Sequence, residues 1–148
     1  MKLMKLIGVA ALACASCGDI PKDPDGSLGR IRAERSFRVG LIASGAPLGA
    51  ERQALFVRNV AAAAGARPRF ELGATEPLLT RLEEGELDLV IGPMTPKSPW
   101  EKQVTFLPLL GEQVSESGHV HLAAMARHGE NAWITLLHKE AGKVAAAR

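Results

Sequence analysis

Beyond Cys17 the chain contains no cysteine, and that absence removes several chemistries at once. The folded part needs no disulfide, and it has no thiol to act as a nucleophile or to hold a metal. Its serines stand without a histidine and an acid at recognisable spacing, so a hydroxyl-based triad has nothing to build with and no enzymatic activity is expected. A basic stripe is missing as well. The formal charge is +2, but Lys2 and Lys5 fall in a segment expected to be removed, after which basic and acidic side chains balance at 16 each. Nucleic acid is therefore not an expected partner. The N-terminal apolar run, Leu6 to Ala13, is too short to span a bilayer as a permanent helix. No cofactor is expected.

What is present suits one ordinary globular domain: 148 residues, 47% hydrophobic and 23% charged. Residues 1–17 have the form of a secretory signal, with Lys2 and Lys5 ahead of the apolar core and small residues before Cys14 and Cys17. A cysteine placed there resembles a bacterial lipobox, in which the thiol is acylated. Cys17 is favoured over Cys14 because Gly18-Asp19-Ile20-Pro21 begins a polar tether; a plain signal peptide with incidental cysteines is the alternative. Residues 18–29 read as a linker rich in glycine, proline and aspartate, and residues 30–148 as the domain.

Local patterns then predict the elements. Ser27 is expected to cap a short helix through Arg35, with Leu28 and Ile31 on the domain. Phe37 to Ile42 reads as a strand, and Ala50 to Ala64 as a helix with Phe56, Val60, Ala63 and Ala64 on one face and Gly65 as its stop. Arg69 to Leu72 alternates, which predicts a strand with Phe70 and Leu72 toward the core. Thr75 is the expected N-cap of a helix buried through Leu78, Leu79 and Leu82. Gly85 should end that helix. Leu87, Leu89, Val90 and Ile91 form the near-continuous apolar run of a strand covered on both faces, which Gly92 is expected to break. The alternation predicts a doubly wound, mostly parallel α/β sheet flanked by helices, with any ligand met outside the carboxyl ends of its strands.

Gly85-Glu86-Leu87-Asp88-Leu89-Val90-Ile91, then Gly92-Pro93-Met94-Thr95 and Lys102-Gln103-Val104-Thr105-Phe106, resembles the signature of the extracellular solute-binding proteins of ABC importers, in the polar amino-acid branch known as family 3. The resemblance covers roughly Leu28 to Lys139 and implies a periplasmic binding-protein lobe. That family has two lobes, and this chain has room for one. Val104 to Pro108 matches the segment before the family's crossing to its second lobe, but Leu109 stands where the family has tyrosine, and the chain has no tyrosine. Only a polar, hairpin-like stretch from Gly111 to Gly118 precedes His119 to Ala126, which reads as the last strand returning to the same sheet. A closing helix follows, apolar along Trp133, Leu136, Leu137 and Ala141.

By that resemblance Thr95 occupies the position whose hydroxyl and backbone hold an amino acid. The family's carboxylate-gripping arginine is replaced by Trp100, with Lys97 and Lys102 nearby, and a lysine lacks the guanidinium fork. The loop after the first strand offers Ser44, Gly45 and Gly49 in place of the family's aromatic and paired prolines. The expected site is thus Ser44, Gly45, Thr95, Lys97 and Trp100. Gly45 and Gly49 precede a helix start where backbone N–H groups can meet an anion, with Arg52 in the first turn, although a tight turn explains the glycines equally. His119 and His121 share one strand face, with His128 and Glu130 beyond, but edge-strand histidines are favoured over a metal site, and none is expected. Asp88 and Trp133 read as structural.

The expected role is a secreted, lipid-anchored substrate-binding component of an ABC-type importer for a small polar solute, with a permease or a second copy of the chain as further partners. The competing role is an envelope interaction module that has lost solute binding. Exposed Trp100, Leu107, Leu109 and Leu110 around the vacated cleft would be its mark.

Overall fold

The computed structural model describes residues 23–44, 49–115 and 118–147. Its elements run α1 (Ser27–Glu34), β1 (Ser36–Ile42), α2 (Ala50–Ala64), β2 (Arg67–Gly73), α3 (Thr75–Glu83), β3 (Leu89–Met94), a 3₁₀ turn (Pro99–Lys102), β4 (Val104–Phe106), β5 (Gly111–Ser115), β6 (Gly118–Arg127) and α4 (Asn131–Ala146). The sheet order is β2-β1-β3-β6-β4, with β5 also paired to β6. β1 lies parallel to β2 and β3, while β6 runs antiparallel to β3, β4 and β5. β6 is therefore the one strand of reversed direction, and the sheet is mixed but mostly parallel. Cys14, Cys17 and Gly45 lie outside the described residues, as do the predicted signal segment and the first part of the predicted linker.

The segment from His119 to Ala126 returns to the same sheet beside β3, in a register that pairs Ile91 with Ala124 and Met94 with His121. β4 and β5 follow one another along the other edge of β6. The Leu107 and Leu110 N–H groups donate to the carbonyls of Ala124 and Leu122, which carries the ladder across the break at Pro108 and Leu109. The fold of a single lobe is thereby closed without a second crossing.

Two apolar layers cover the sheet. On one face Leu89 and Ile91 of β3 pack with Ile31, Phe56, Val57, Val60, Trp133, Leu137 and Val144, so α1, α2 and α4 share that side. On the other, Val90 packs with Leu78, Leu79 and Leu82 of α3 and with Met125. Burial of alternate β3 residues on opposite faces is what its unbroken apolar run requires.

Several expectations are corrected. Phe70 and Leu72 are 56% and 73% exposed. They do lie on the face shared by Val39 and Leu41, their partners in β1, but β2 is the sheet's edge strand and the helix layer leaves them uncovered. Gly92 does not end β3, which continues to Met94. A Cβ at Gly92 would stand 2.4 Å from the Ile42 Cβ, so the glycine serves close strand packing. Ala63 is exposed, and Val57 takes its place in the buried face of α2. Ser27 and Thr75 are first helical residues, not caps; Gly26 and Ala74 hold the cap positions and make no side-chain cap bond. The free N–H groups at the start of α1 are met from far along the chain. Glu130 accepts from Asp25 and Ser27, each at 3.0 Å, and Asp23 accepts from Leu28 at 3.1 Å.

Candidate functional site

Because β1 and β3 are adjacent and parallel, with Leu41 beside Ile91, the chain leaves both at the same edge of the sheet. Ser44 is exposed two residues past the end of β1, and Thr95 is exposed immediately after β3. Sheet topology thus brings together two residues that are far apart in sequence. The loop after Thr95 is shaped by its backbone. Lys97 is exposed and left-handed, with φ of 62°, an unusual conformation for a side-chain-bearing residue. Ser98 is buried and caps the 3₁₀ turn, its Oγ accepting from the Trp100 N–H at 3.3 Å. Trp100 is half-buried against the layer that holds Leu78, Leu79 and Val90, so one side of the indole is fixed. Lys102 is exposed at the end of the turn. Two hydroxyls, an ammonium group and a half-buried indole are thus carried on the segments that follow β1 and β3.

The helix start beyond Ser44 has a structural explanation. Gly49 is left-handed, with φ of 60°, and a Cβ there would meet Leu122 Cδ2 at 2.9 Å. Arg52 does not face an anion. Its guanidinium donates to the carbonyls of Leu110 at 3.1 Å and Ala147 at 3.3 Å, tying α2 to β5 and to the end of α4. A depression of about 360 Å³ lined by Gly49, Arg52, Gly111, Gln113 and Glu112 includes a carboxylate, which opposes an anion.

His119 and His121 share a face, and both lean on Glu112 from β5, at 2.8 Å and 3.4 Å. Hydrogen bonding from His119 holds the Glu112 carboxyl below its ordinary range, with desolvation opposing and the charge of His121 assisting. The sequence reading overlooked Glu112. Its signal was present, since an antiparallel pairing of Ser115 with Gly118 sets Glu112 opposite His121. His128 bonds instead to Thr105 Oγ1 at 2.7 Å, and Glu130 is buried at the start of α1. Among the described residues no group of three or more histidines, cysteines or acids is placed to hold a metal, and no helix is long and apolar enough to cross a membrane.

The mark of an interaction surface is largely missing from this end of the sheet. Leu107 and Leu110 are buried and Trp100 is half-buried, which leaves Leu109, at 40% exposure, as the open leucine of the set.

No protein-family model matches the sequence, and no curated protein matches it. Solved structures do. Domain 1 of the T. maritima arginine-binding protein, in an arginine-bound form, is 15% identical with a TM-score of 0.64, over 77% of this chain and 97% of that one. An ancestral cationic amino-acid solute-binding protein is 11% identical with a TM-score of 0.65, over 80% and 93%. A Salmonella typhimurium periplasmic binding protein described as highly specific for arginine is 14% identical with a TM-score of 0.59, over 76% and 94%. At these identities the likeness is one of fold: the chain has the fold of a single lobe of the family 3 solute-binding proteins.

Proposed function

We propose that this chain is a secreted, lipid-anchored solute-binding component of an ABC-type importer, taking a small polar solute such as an amino acid. Acylation at Cys17 or Cys14 would hold it to the membrane of the cell envelope, and a permease would receive the solute. The site is the open edge beyond β1 and β3, where Ser44 and Thr95 supply hydroxyls, Lys97 the charge for a carboxylate, and Trp100 an apolar wall; Gly45 adjoins Ser44 in sequence. The observation that carries this reading is the exposure of Ser44 and Thr95 at the carboxyl ends of adjacent parallel strands, in a lobe shaped like arginine-bound domain 1.

The same geometry sets the strength of binding. A single lobe buries less of its ligand than a cleft closed from both sides, so affinity is expected to be weak, with dissociation constants on the order of a millimolar. Isothermal titration of the chain against arginine, lysine, glutamate, glutamine and small organic acids tests this. Binding that weakens at least about tenfold in both Thr95→Val and Lys97→Met supports the site. Absence of binding across the panel, or binding indifferent to both changes, would overturn it.

A further inference from the structure

The outer edge of β2 carries two large uncovered apolar side chains, Phe70 and Leu72, and no described strand or helix lies against it. Its backbone polarity follows from two bonds. Arg67 donates its N–H to the Arg35 carbonyl, and Gly73 accepts from the Ala43 N–H, so the odd-numbered residues of β2 turn their polar groups toward β1. Pro68, Phe70 and Leu72 therefore turn theirs outward. Phe70 and Leu72 offer both donor and acceptor, while Pro68 offers a carbonyl alone. On the α2 side an open groove of about 380 Å³, lined by Leu41, Ala54, Val57, Ala61, Pro68 and Phe70, runs beside this edge.

We propose that the β2 edge docks a second copy of this chain, strand to strand and antiparallel, about a two-fold axis at Phe70. In that register Phe70 exchanges its N–H and C=O with the same residue of the second copy, and each Leu72 N–H donates to the opposite Pro68 carbonyl. The proline lacks a donor, so the reciprocal bond to each Leu72 carbonyl is not made and the seam at Phe70 holds four bonds, two between the phenylalanines and one at each end. Phe70 and Leu72 of both copies come together on the α2 side and cap the two grooves.

Charge selects the register. Centred at Phe70, Arg69 of each copy stands opposite Glu71 of the other, a favourable cross-strand pair in which Glu71 shares its carboxylate with Arg81 of its own chain. Centred one residue earlier, Arg69 opposes itself; one residue later, Glu71 opposes itself; two residues earlier, Arg69 opposes Arg67; two residues later, Glu71 meets only Gly73 and gains no opposite charge. The arginines that would blunt this edge against other strands thus become complementary in one arrangement. A two-fold contact of this kind closes on itself, and at the sheet's other edge the break at Pro108 and Leu109 interrupts the ladder, so the product is a dimer and not a fibre.

Sedimentation of the full chain over a concentration series tests the proposal without any ligand. Wild type is expected to dimerise with a dissociation constant on the order of tens of micromolar, as suits a small interface. Arg69→Glu and Glu71→Arg each create like-charged pairs at both ends and should weaken self-association by about tenfold or more. Mixed together, these two variants should associate with each other, because each restores the opposite charge. Leu72→Lys, at a 73% exposed position where folding is not at stake, should abolish the dimer. A wild-type chain that stays monomeric at roughly a millimolar, a dimer indifferent to Leu72→Lys, or single-charge variants that fail to associate when mixed would each overturn it.

Discussion

The Arg38 guanidinium closes on the Asp88 carboxylate as a two-point fork, Nε to Oδ2 at 3.0 Å and Nη2 to Oδ1 at 2.8 Å. The Arg38 backbone N–H adds a third bond at 2.7 Å, and Arg30 of α1 reaches the same carboxylate. The remaining contacts extend this node: Arg38 Nη2 donates to the Gly85 carbonyl at 2.9 Å, and the Trp133 indole donates to the Asp88 carbonyl at 2.8 Å. One buried acid at the amino end of β3 thus gathers α1, β1, the α3–β3 turn and α4. It lies at the end of the sheet opposite Thr95, which separates the structural charge cluster from the proposed binding edge. Hydrogen bonding to Asp88 raises the Arg38 pKa further, against the cost of partial burial.

Asp88→Ala is expected to lower stability by about 2 to 3 kcal/mol, toward the low end for a broken buried ion pair because both arginines remain partly in water. Urea unfolding followed by Trp133 fluorescence measures it. The loss in the Arg38→Ala, Asp88→Ala double variant should fall well short of the sum of the single losses, and additivity would show that the fork contributes little.

Gly92→Ala drives a methyl group into Ile42 and should cost about 1 to 3 kcal/mol by overpacking. The test is a cycle with Ile42→Gly, which removes the Cβ that the new methyl would meet at 2.4 Å, whereas alanine would keep it. Ile42→Gly should be distinctly less harmful in the Gly92→Ala background than in wild type.

A pH effect follows from the carboxyl pair at the start of α1. Burial, and then a hydrogen bond with Glu130, pushes Asp23 from its ordinary 3.8 to about 6. Burial would also raise Glu130, but hydrogen bonds from Asp23, Ser27 and the Asp25 and Ser27 backbone outweigh it and hold Glu130 at about 2. The signs oppose. Asp23 binds its proton more tightly when folded, so its contribution is fully present below pH 3.8 and is lost as pH rises through about 6. Glu130 contributes above its ordinary 4.5 and loses that contribution as pH falls through about 2. Asp23→Asn, which cannot ionise, should therefore raise the thermal midpoint at pH 7, and the gain should vanish as pH falls from 6 to 4. A pH-independent difference between variant and wild type would contradict the assignment.

Lys97 holds a left-handed backbone that glycine adopts freely. Lys97→Gly should leave stability unchanged or improve it by up to about 1 kcal/mol, the relief of strain being offset by the freer unfolded chain. If the proposed site is right, the same change weakens solute binding, so stability and affinity move in opposite directions. Thermal denaturation and titration on one preparation read both.

Local rules explain how much of this was visible beforehand. The bounds of α2 follow from its apolar spacing and from Gly65, and the burial of β3 on both faces follows from its unbroken run of apolar residues. The return of β6 to the sheet was legible because the stretch from Pro108 to His119 is too short to hold anything but a hairpin. Thr95 and Ser44 could be placed at strand ends for the same reason. What failed was whatever depended on a distant partner. Alternation in Arg69 to Leu72 marked a strand and its correct face, yet no local pattern said that β2 would be last in the sheet. Ser27 and Thr75 looked like caps, but Glu130 serves α1 from more than a hundred residues away.

The sequence by itself determined which segments are helix and strand and which side chains turn the same way, because those follow from periodicities of the backbone and from residues that fix its dihedral angles. Only the tertiary structure decided what stands beside what: the exposed edge at Phe70 and Leu72, the closeness of Gly92 to Ile42, Glu112 beneath His119 and His121, and the charges gathered at Asp88. Strand order and helix coverage arise from contacts between distant segments, and the burial, charge and hydrogen bonding of each side chain are set there.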